Sequence, residues 1–184
     1  MEDNKFEIIY ADFPWKYSSF GTAKLPYETM EDEEIFNFDF SKFMAKDCIL
    51  FSWATGPKMQ LAFRAAEHWE KNHGLYYQGI PYIWVKTKQD GTPIGAAGPR
   101  PRLVKPLDEF LLAFSTTPNK RTFPLLSESH VQHQFFPKQS KHSRKPQEFR
   151  DLIVDLLGNR KRIELFAREQ AEGWSGWGNQ YEGS

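Results

Sequence analysis

Apolar and polar positions fall into blocks along this chain that predict buried strands separated by helices. Five short apolar runs have the length and the aliphatic and aromatic content of strands: Phe6–Ala11, Cys48–Ala54, Tyr82–Lys86, Phe110–Phe114 and Arg162–Ala167. Three segments have helical spacing or helix-end signals: Met30–Phe36, Pro57–Asn72 (followed by Gly74), and a segment from about Pro146 to Gly158. Apolar strands that alternate with helices predict an α/β domain, with a mostly parallel central sheet covered by helices on both faces.

The remaining segments are predicted to lack regular structure. Residues 87–105 are rich in Gly and Pro and residues 116–144 are polar, so both are interpreted as long loops. Trp174 and Trp177 lie in a Gly-rich tail, where we expect them to be packing residues. A length of 184 residues without internal repeats predicts a single domain over residues 1–184.

The composition of the chain excludes two classes of protein. The chain is 40% hydrophobic and 16% aromatic, which excludes a disordered chain, and its formal net charge of zero excludes nucleic-acid binding by uniform positive charge. The charges are nevertheless segregated: residues 1–70 hold 7 basic and 13 acidic side chains, whereas residues 86–168 hold 16 basic and 8 acidic ones. This asymmetry fits a positive field on one face, or simply solvated clusters of charge; the sequence leaves both open.

Signals for export or membrane insertion are missing from the sequence. The apolar runs are too short for a transmembrane helix, and the acidic start of the chain has no apolar signal-peptide region. Cys48 is the single cysteine, so no disulfide forms within the chain. We therefore expect a cytoplasmic protein that needs no membrane.

The fragment Asp12–Trp15 carries the clearest chemistry, because ligands of parallel α/β sheets bind at the carboxyl ends of strands. A carboxylate, a proline-restrained turn and a large aromatic ring suit chemistry on the exocyclic amine of a flat base. Such an amine is a poor nucleophile, and two hydrogen-bond acceptors on its protons localise its lone pair as the transition state forms. The Asp12 carboxylate supplies one acceptor, and the Phe13 carbonyl, directed by Pro14, supplies the other. The Trp15 ring can stack on the base. A strand end with a capping Asp and a core Trp explains the same four residues.

Further motifs follow in a fixed order. They are Leu25–Met30, Leu50–Gly56, Ile83–Thr87, Ser143–Pro146, Ile163–Arg168 and Gly178–Gln180. Together with Asp12–Trp15, this series resembles the MT-A-type family of N6-adenine methyltransferases, named for the catalytic subunit of the eukaryotic mRNA adenosine methyltransferase. The resemblance extends from about Phe6 to Gln180. It implies a Rossmann-like, S-adenosylmethionine-dependent methyltransferase fold in permuted order, with the catalytic motif ahead of the main cofactor-binding elements.

The resemblance also implies roles for individual residues. The catalytic motif corresponds to Asp12, Phe13, Pro14 and Trp15. The residues expected beside the target base are Tyr27, Trp84 and Lys86. The residues expected to bind the cofactor are Asp12, Lys145, Arg168, Asn179 and Gln180. Lys145 opens a helix, where its charge and the helix N-terminus both favour the cofactor's carboxylate. Amide side chains such as Asn179 suit ribose hydroxyls, because they donate and accept.

Two departures from the family pattern change these expectations. Phe13 stands where the family has its first proline; the acceptor there is a backbone carbonyl, so the chemistry is retained, but we expect a less rigid turn. Only eleven residues precede Asp12, so the wall that longer members build from an upstream segment is expected to be short or to come from elsewhere.

Two weaker signals lie in the long loops. Arg100, Arg102 and Lys105 are candidates to grip phosphates around an extruded base, although solvated loop charges explain them equally well. His130, His133 and His142 lie in a polar loop without any cysteine, so we predict no metal site.

The expected function is methyl transfer from S-adenosylmethionine to N6 of adenine in DNA, with a flipped or unpaired target base. Three alternatives stay open: an RNA adenosine N6-methyltransferase, a non-catalytic nucleic-acid-binding partner of an active homologue, and a small-molecule methyltransferase. The chain is short for a separate target-recognition domain. We therefore expect a second subunit, a homodimer partner or a heteromeric one, to help hold the duplex.

Overall fold

A seven-stranded, mostly parallel sheet forms the centre of the protein in the computed structural model. The structure describes residues 5–17, 28–96, 105–118, 132–137, 144–179 and 181. The strands of the sheet are β1 (Phe6–Ala11), β2 (Met44–Thr55), β3 (Tyr76–Thr87), β6 (Glu109–Ser115), β7 (Gln132–Pro137), β8 (Arg162–Leu165) and β9 (Ser175–Trp177). Two short strands, β4 (Gly95–Ala96) and β5 (Lys105–Pro106), pair separately. The helices are α1 (Asp32–Phe36), α2 (Met59–His73) and α3 (Glu148–Leu157), with 3₁₀ turns at Phe40–Lys42 and Gly56–Lys58.

The strand order of the sheet is β7-β3-β6-β2-β1-β8-β9. Among the strands that the structure describes in this sheet, β6 alone runs against its neighbours; the pairs β1–β2, β1–β8, β3–β7 and β8–β9 are parallel. The chain leaves β1 toward β2 on one side, and β8 later joins β1 on the other side. β1 is therefore the point at which the connections diverge, which is where doubly wound sheets open a ligand crevice.

Period-two alternation in β1 divides the core into two layers. Ile9 and Ala11 point toward the layer that contains α1 and α2, whereas Ile8 and Tyr10 point toward the layer that contains α3. Both faces of the sheet are thus buried at its centre, because successive residues of β1 and of the second half of β2 pack alternately into one layer or the other.

The predicted fold class is confirmed, with helices on both faces of a mostly parallel sheet. The five predicted strands all exist, and Gly74 ends α2 in the left-handed conformation (φ 65°) that favours glycine.

Two strands were missed. The loop prediction for residues 116–144 is wrong over β7, and no strand was predicted for β9. The predicted packing role of the tail tryptophans is confirmed: Trp174 is buried in the core, and the Trp177 ring contacts Phe43 and Phe166. Neither segment carries a clear apolar alternation, because β7 and β9 are the two edge strands of the sheet and each pairs with a single neighbour. The 87–105 loop prediction likewise overlooked the short β4–β5 pair. Among the described residues, no helix combines the length and the apolar character needed to cross a membrane.

Candidate active site

One edge of the sheet brings together several of the predicted site residues. The carboxyl ends of β1, β2, β3, β8 and β9 meet there because these strands are parallel, and the start of β6 lies there because β6 is antiparallel. In register, Glu109 at the start of β6 lies opposite Thr55 at the end of β2 and opposite Trp84 in β3. Asp12 directly follows β1, in the centre of this edge.

Four charged side chains form a continuous network at this edge, which we call the site network: Asp12, Lys86, Glu109 and Lys145. The Lys145 ammonium donates to Asp12 Oδ2 at 2.6 Å and lies 3.0 Å from Glu109 Oε2, while Lys86 donates to the other Glu109 oxygen. Two carboxylates and two ammonium groups balance in charge. The side chain of Asp12 is 25% exposed, against 6% for Lys145 and 7% for Glu109. Asp12 is therefore the carboxylate of the network that a ligand can reach.

Burial and mutual attraction shift the pKa values of the site network. Burial lowers the pKa of Lys145, but Asp12 and Glu109 outweigh that effect and raise it above its ordinary value. Burial raises the pKa of Glu109, but the attraction of Lys145 and Lys86 outweighs burial and holds that pKa below its ordinary value. For Asp12, burial outweighs the attraction of Lys145 and Arg168, so its pKa is raised. Of the two carboxylates in the network, Asp12 is thus the more readily protonated, and it is a hydrogen-bond acceptor at higher pH.

The turn after Asp12 is held at several points. The Trp15 amide donates to the Phe13 carbonyl at 2.9 Å, and the Met30 amide donates to the Pro14 carbonyl at 2.8 Å. Pro14 fixes its own φ and restricts Phe13 to extended backbone. The Phe13 carbonyl, the predicted second acceptor, therefore already accepts one hydrogen bond and keeps a second lone pair.

The aromatic residues expected to stack on a base are largely enclosed. Trp15 is 4% exposed, and the Lys58 ammonium lies 5.6 Å from its ring centroid. Its indole N–H is buried without a hydrogen-bond partner among the described residues. Trp84 is 1% exposed, and its indole donates to the Phe136 carbonyl. Because Trp84 is part of the core beside α3, this conformation offers no ring face of Trp84 to a substrate.

Tyr17 is an exposed aromatic residue at this edge that the sequence reasoning did not select. It is 38% exposed, its hydroxyl shares a 2.9 Å hydrogen bond with Thr55 at the end of β2, and Lys58 lies 5.5 Å from its ring centroid. Burial raises the pKa of its phenol, and the charges of Glu109, Asp12 and Lys145 also act on it. Its ring therefore lies beside the site network with part of its surface open.

The ends of β8 and β9 form the other side of the edge. Phe166, directly after β8, has φ 61°, a left-handed conformation that costs a bulky residue on the order of 1–3 kcal/mol. Gly178, directly after β9, packs so closely that an added Cβ would lie 2.9 Å from the Phe166 Cα and 3.0 Å from the Ala167 carbonyl oxygen. The exposed side chains of Arg168 and Asn179 follow these two turns. Arg168 is near enough for its charge to act on Asp12.

The structure brings together Asp12, Lys86 and Lys145 of the predicted site residues, with the charge of Arg168 close by. Tyr27, Arg100, Arg102 and Gln180 lie outside the described residues, as do His130 and His142. For Lys105 and His133 the structure describes the backbone only. No group of metal-ligating side chains occurs within the described ranges.

Glu109 is the charged residue that sequence reasoning missed. Its signal was an Asp108–Glu109 pair at the start of an apolar strand, which is ordinary for an exposed strand end. Only the reversed direction of β6 brings that end to the same edge as Asp12.

This arrangement defines a class of protein. An α/β sheet with a partly exposed carboxylate after β1, a guanidinium after β8 and an amide after β9 has the features of a domain that binds a nucleotide-like cofactor at its switch point. A family profile named MT-A70 matches residues 6–180. The chain belongs to the MT-A70 family, the N6-adenine methyltransferases, whose members generally depend on S-adenosylmethionine.

Individual relatives agree with this assignment. The chain is 28% identical over 200 residues to the Type II methyltransferase M.MunI of a Mycoplasma species, covering 95% of this chain and 77% of that protein. It is 28% identical to an N(6)-adenosine-methyltransferase MT-A70-like protein of Arabidopsis thaliana, covering 97% of this chain but 24% of that protein. It is also 28% identical to the N6-methyladenosine RNA methyltransferase MTA1 of Pyricularia oryzae, of which it covers 46%.

Proposed function

We propose that this chain transfers a methyl group from S-adenosylmethionine to N6 of adenine in DNA. The observation that carries the proposal is Asp12, a partly exposed carboxylate directly after β1, held at 2.6 Å by the buried Lys145. We favour DNA over RNA because the chain matches 77% of the length of the bacterial Type II methyltransferase, but 24% of the length of the plant adenosine methyltransferase. The plant and fungal names keep RNA as the competing substrate.

The donor set at the edge fits S-adenosylmethionine. Asn179 and Arg168, both exposed, follow adjacent strands and offer an amide for ribose hydroxyls and a guanidinium for a carboxylate. When bound, the cofactor supplies an electrophilic methyl group. Lys145 is expected to act mainly through Asp12, because its charge is already balanced by two carboxylates.

The residues of this chain prepare the amine. Asp12 accepts a hydrogen bond from one N6 proton, and the free lone pair of the Phe13 carbonyl accepts from the other. These two bonds localise the nitrogen lone pair as the transition state forms, and Lys145 keeps the Asp12 carboxylate in place. We assign the flipped or unpaired base to the partly open side of the edge beside Tyr17, whose exposed ring is free to stack on it.

Two further parts of the proposal concern context. We propose that a second subunit, either another copy of this chain or a related partner, helps hold the duplex. We also propose that the enzyme acts in the cytoplasm, which agrees with the buried free thiol of Cys48.

Labelled-cofactor assays on matched DNA and RNA oligonucleotides test the proposal. We expect adenine-dependent label in DNA, and a loss of about 100-fold in kcat for Asp12→Asn. Asp155→Asn, at an exposed position of α3, is the matched control and keeps wild-type activity. A clear preference for RNA would overturn the substrate assignment. Absence of cofactor binding by calorimetry, with Asp12→Ala harmless in complex with an active homologue, would identify a non-catalytic partner instead.

A further inference from the structure

We propose that the Phe13 side chain is a positioning element of the catalytic turn, whose ring anchors the Phe13 carbonyl from inside the core. The family motif has a proline at this position, and the proline ring restrains the backbone. In this chain an aromatic ring occupies the position, and the packing of that ring supplies the restraint. The catalytic meaning of the anchor rests on the function proposed above, whereas its effect on the turn does not.

The ring of Phe13 is enclosed by other aromatic rings. Phe13 is 2% exposed. Its ring stacks on Trp69 at a centroid distance of 5.4 Å and an interplanar angle of 29°, and it lies 4.9 Å from Phe166 and 5.4 Å from Phe38. A ring with neighbours on several sides has one available position, so its Cα is fixed to the core as well.

These neighbours come from different parts of the fold. Trp69 belongs to α2, Phe38 follows α1, and Phe166 follows β8. Trp69 is itself held, because its indole donates to the Ile35 carbonyl at 2.9 Å. The anchor therefore ties the turn after β1 to α2, to the segment after α1 and to the strained turn after β8, the side of the edge that carries Arg168.

Anchor and carbonyl belong to one residue, which makes the coupling direct. With its Cα fixed by the ring, Phe13 has only its ψ angle left to direct the carbonyl. Pro14 restricts that angle, and the Trp15 amide bonds to the same oxygen at 2.9 Å. Without the ring, the turn keeps its hydrogen bonds but loses its attachment to the core. We therefore expect the Trp15 amide to open more often and the acceptor to be less well placed.

Phe13→Leu tests the anchor, and Phe40→Leu is the matched control. Phe40 is fully buried in the same cluster, 6.2 Å from Phe13 and 5.3 Å from Trp69, but it lies outside the turn. Both variants lose a comparable amount of aromatic packing. Thermal unfolding identifies a temperature at which both are folded, and Phe13→Met replaces Phe13→Leu if the latter does not fold.

Two readouts separate positioning from plain stability. Hydrogen exchange of the Trp15 amide, relative to amides of β1, is expected to speed up in Phe13→Leu and to stay unchanged in Phe40→Leu. In methylation assays, Phe13→Leu is expected to lower kcat about ten-fold with the KM for cofactor unchanged, while Phe40→Leu keeps wild-type kcat. Phe13→Pro, which restrains the backbone without the ring, is expected to regain most of the lost kcat at reduced stability.

The outcomes distinguish the two proposals. Equal changes in Trp15 exchange in both leucine variants, or no change in either, would overturn the anchor. A Phe13→Pro variant no faster than Phe13→Leu would also overturn it. If wild-type protein methylates no oligonucleotide but the Trp15 amide responds to Phe13→Leu alone, the proposed function fails and the anchor stands.

Discussion

Lys145 holds two carboxylates of the site network, so its removal is expected to destabilise the protein in a way that depends on charge. In Lys145→Met the aliphatic stem is roughly preserved, but Asp12 loses its 2.6 Å partner and Glu109 keeps only Lys86. Removing one partner of a buried ion pair costs about 3–5 kcal/mol. The lower end applies here, because water reaches Asp12 and Lys86 still balances Glu109. About 3 kcal/mol corresponds to a Tm lower by roughly 6–12 °C for a domain of this size.

The pH dependence of this loss follows from the direction of the pKa shifts. The pKa of Lys145 is raised in the folded protein, so its contribution is fully present below the unfolded pKa of about 10.4 and is lost only above it. In the variant, Asp12 keeps the burial that raises its pKa and loses the lysine that opposed it. Protonation of Asp12 removes this unpaired buried charge. The variant therefore loses more unfolding free energy, relative to wild type, at pH 8 than at pH 5.5.

Urea unfolding followed by tryptophan fluorescence at these two pH values measures the effect. Asp12→Asn combined with Lys145→Met leaves the neutral pair Lys86–Glu109, and the double variant is expected to be more stable than Lys145→Met alone by at least about 1 kcal/mol. Lys16→Met, which removes the partner of Glu31 in an exposed ion pair, is the control and leaves the midpoint unchanged. A Lys145→Met variant as stable as wild type at pH 8, or equally destabilised at both pH values, would refute the reasoning.

Three other predictions concern catalysis and binding. In Gly178→Ala the added Cβ presses against the backbone of Phe166 and Ala167, so calorimetry is expected to show weaker S-adenosylmethionine binding. In the control Gly56→Ala the added Cβ has open space around it, and binding is expected to be normal. Tyr17→Ala is expected to raise the KM for the oligonucleotide by an amount equivalent to about 1–3 kcal/mol of stacking, with Tyr17→Phe close to wild type; equal effects of both would contradict stacking. Because burial raises the pKa of Asp12, kcat is expected to fall with decreasing pH at a midpoint above that of an ordinary aspartate, about 3.9, and full activity at that pH in folded protein would argue against Asp12 as the acceptor.

Local signals in the sequence determined much of the architecture. The apolar run Phe6–Ala11 is β1 with those bounds, and the segment predicted to be helical from about Pro146 to Gly158 contains α3. Such patterns can be recognised in the sequence because the side chains of a strand or a helix face the same side of the core every two or 3.6 residues, respectively. The position of Asp12 after the first strand likewise followed from the order of residues alone.

Only the tertiary structure decided how the site is assembled. Lys145 meets Asp12 across 133 positions of sequence, and Glu109 joins them because β6 reverses direction between β2 and β3. The burial of Trp84 and the enclosure of the Phe13 ring also depend on which helices cover which face. Strand order and direction arise from packing between distant segments, which leaves no periodic trace near any one residue. The sequence therefore placed the candidate carboxylate Asp12 after the first strand, and the fold supplied the partners that hold it.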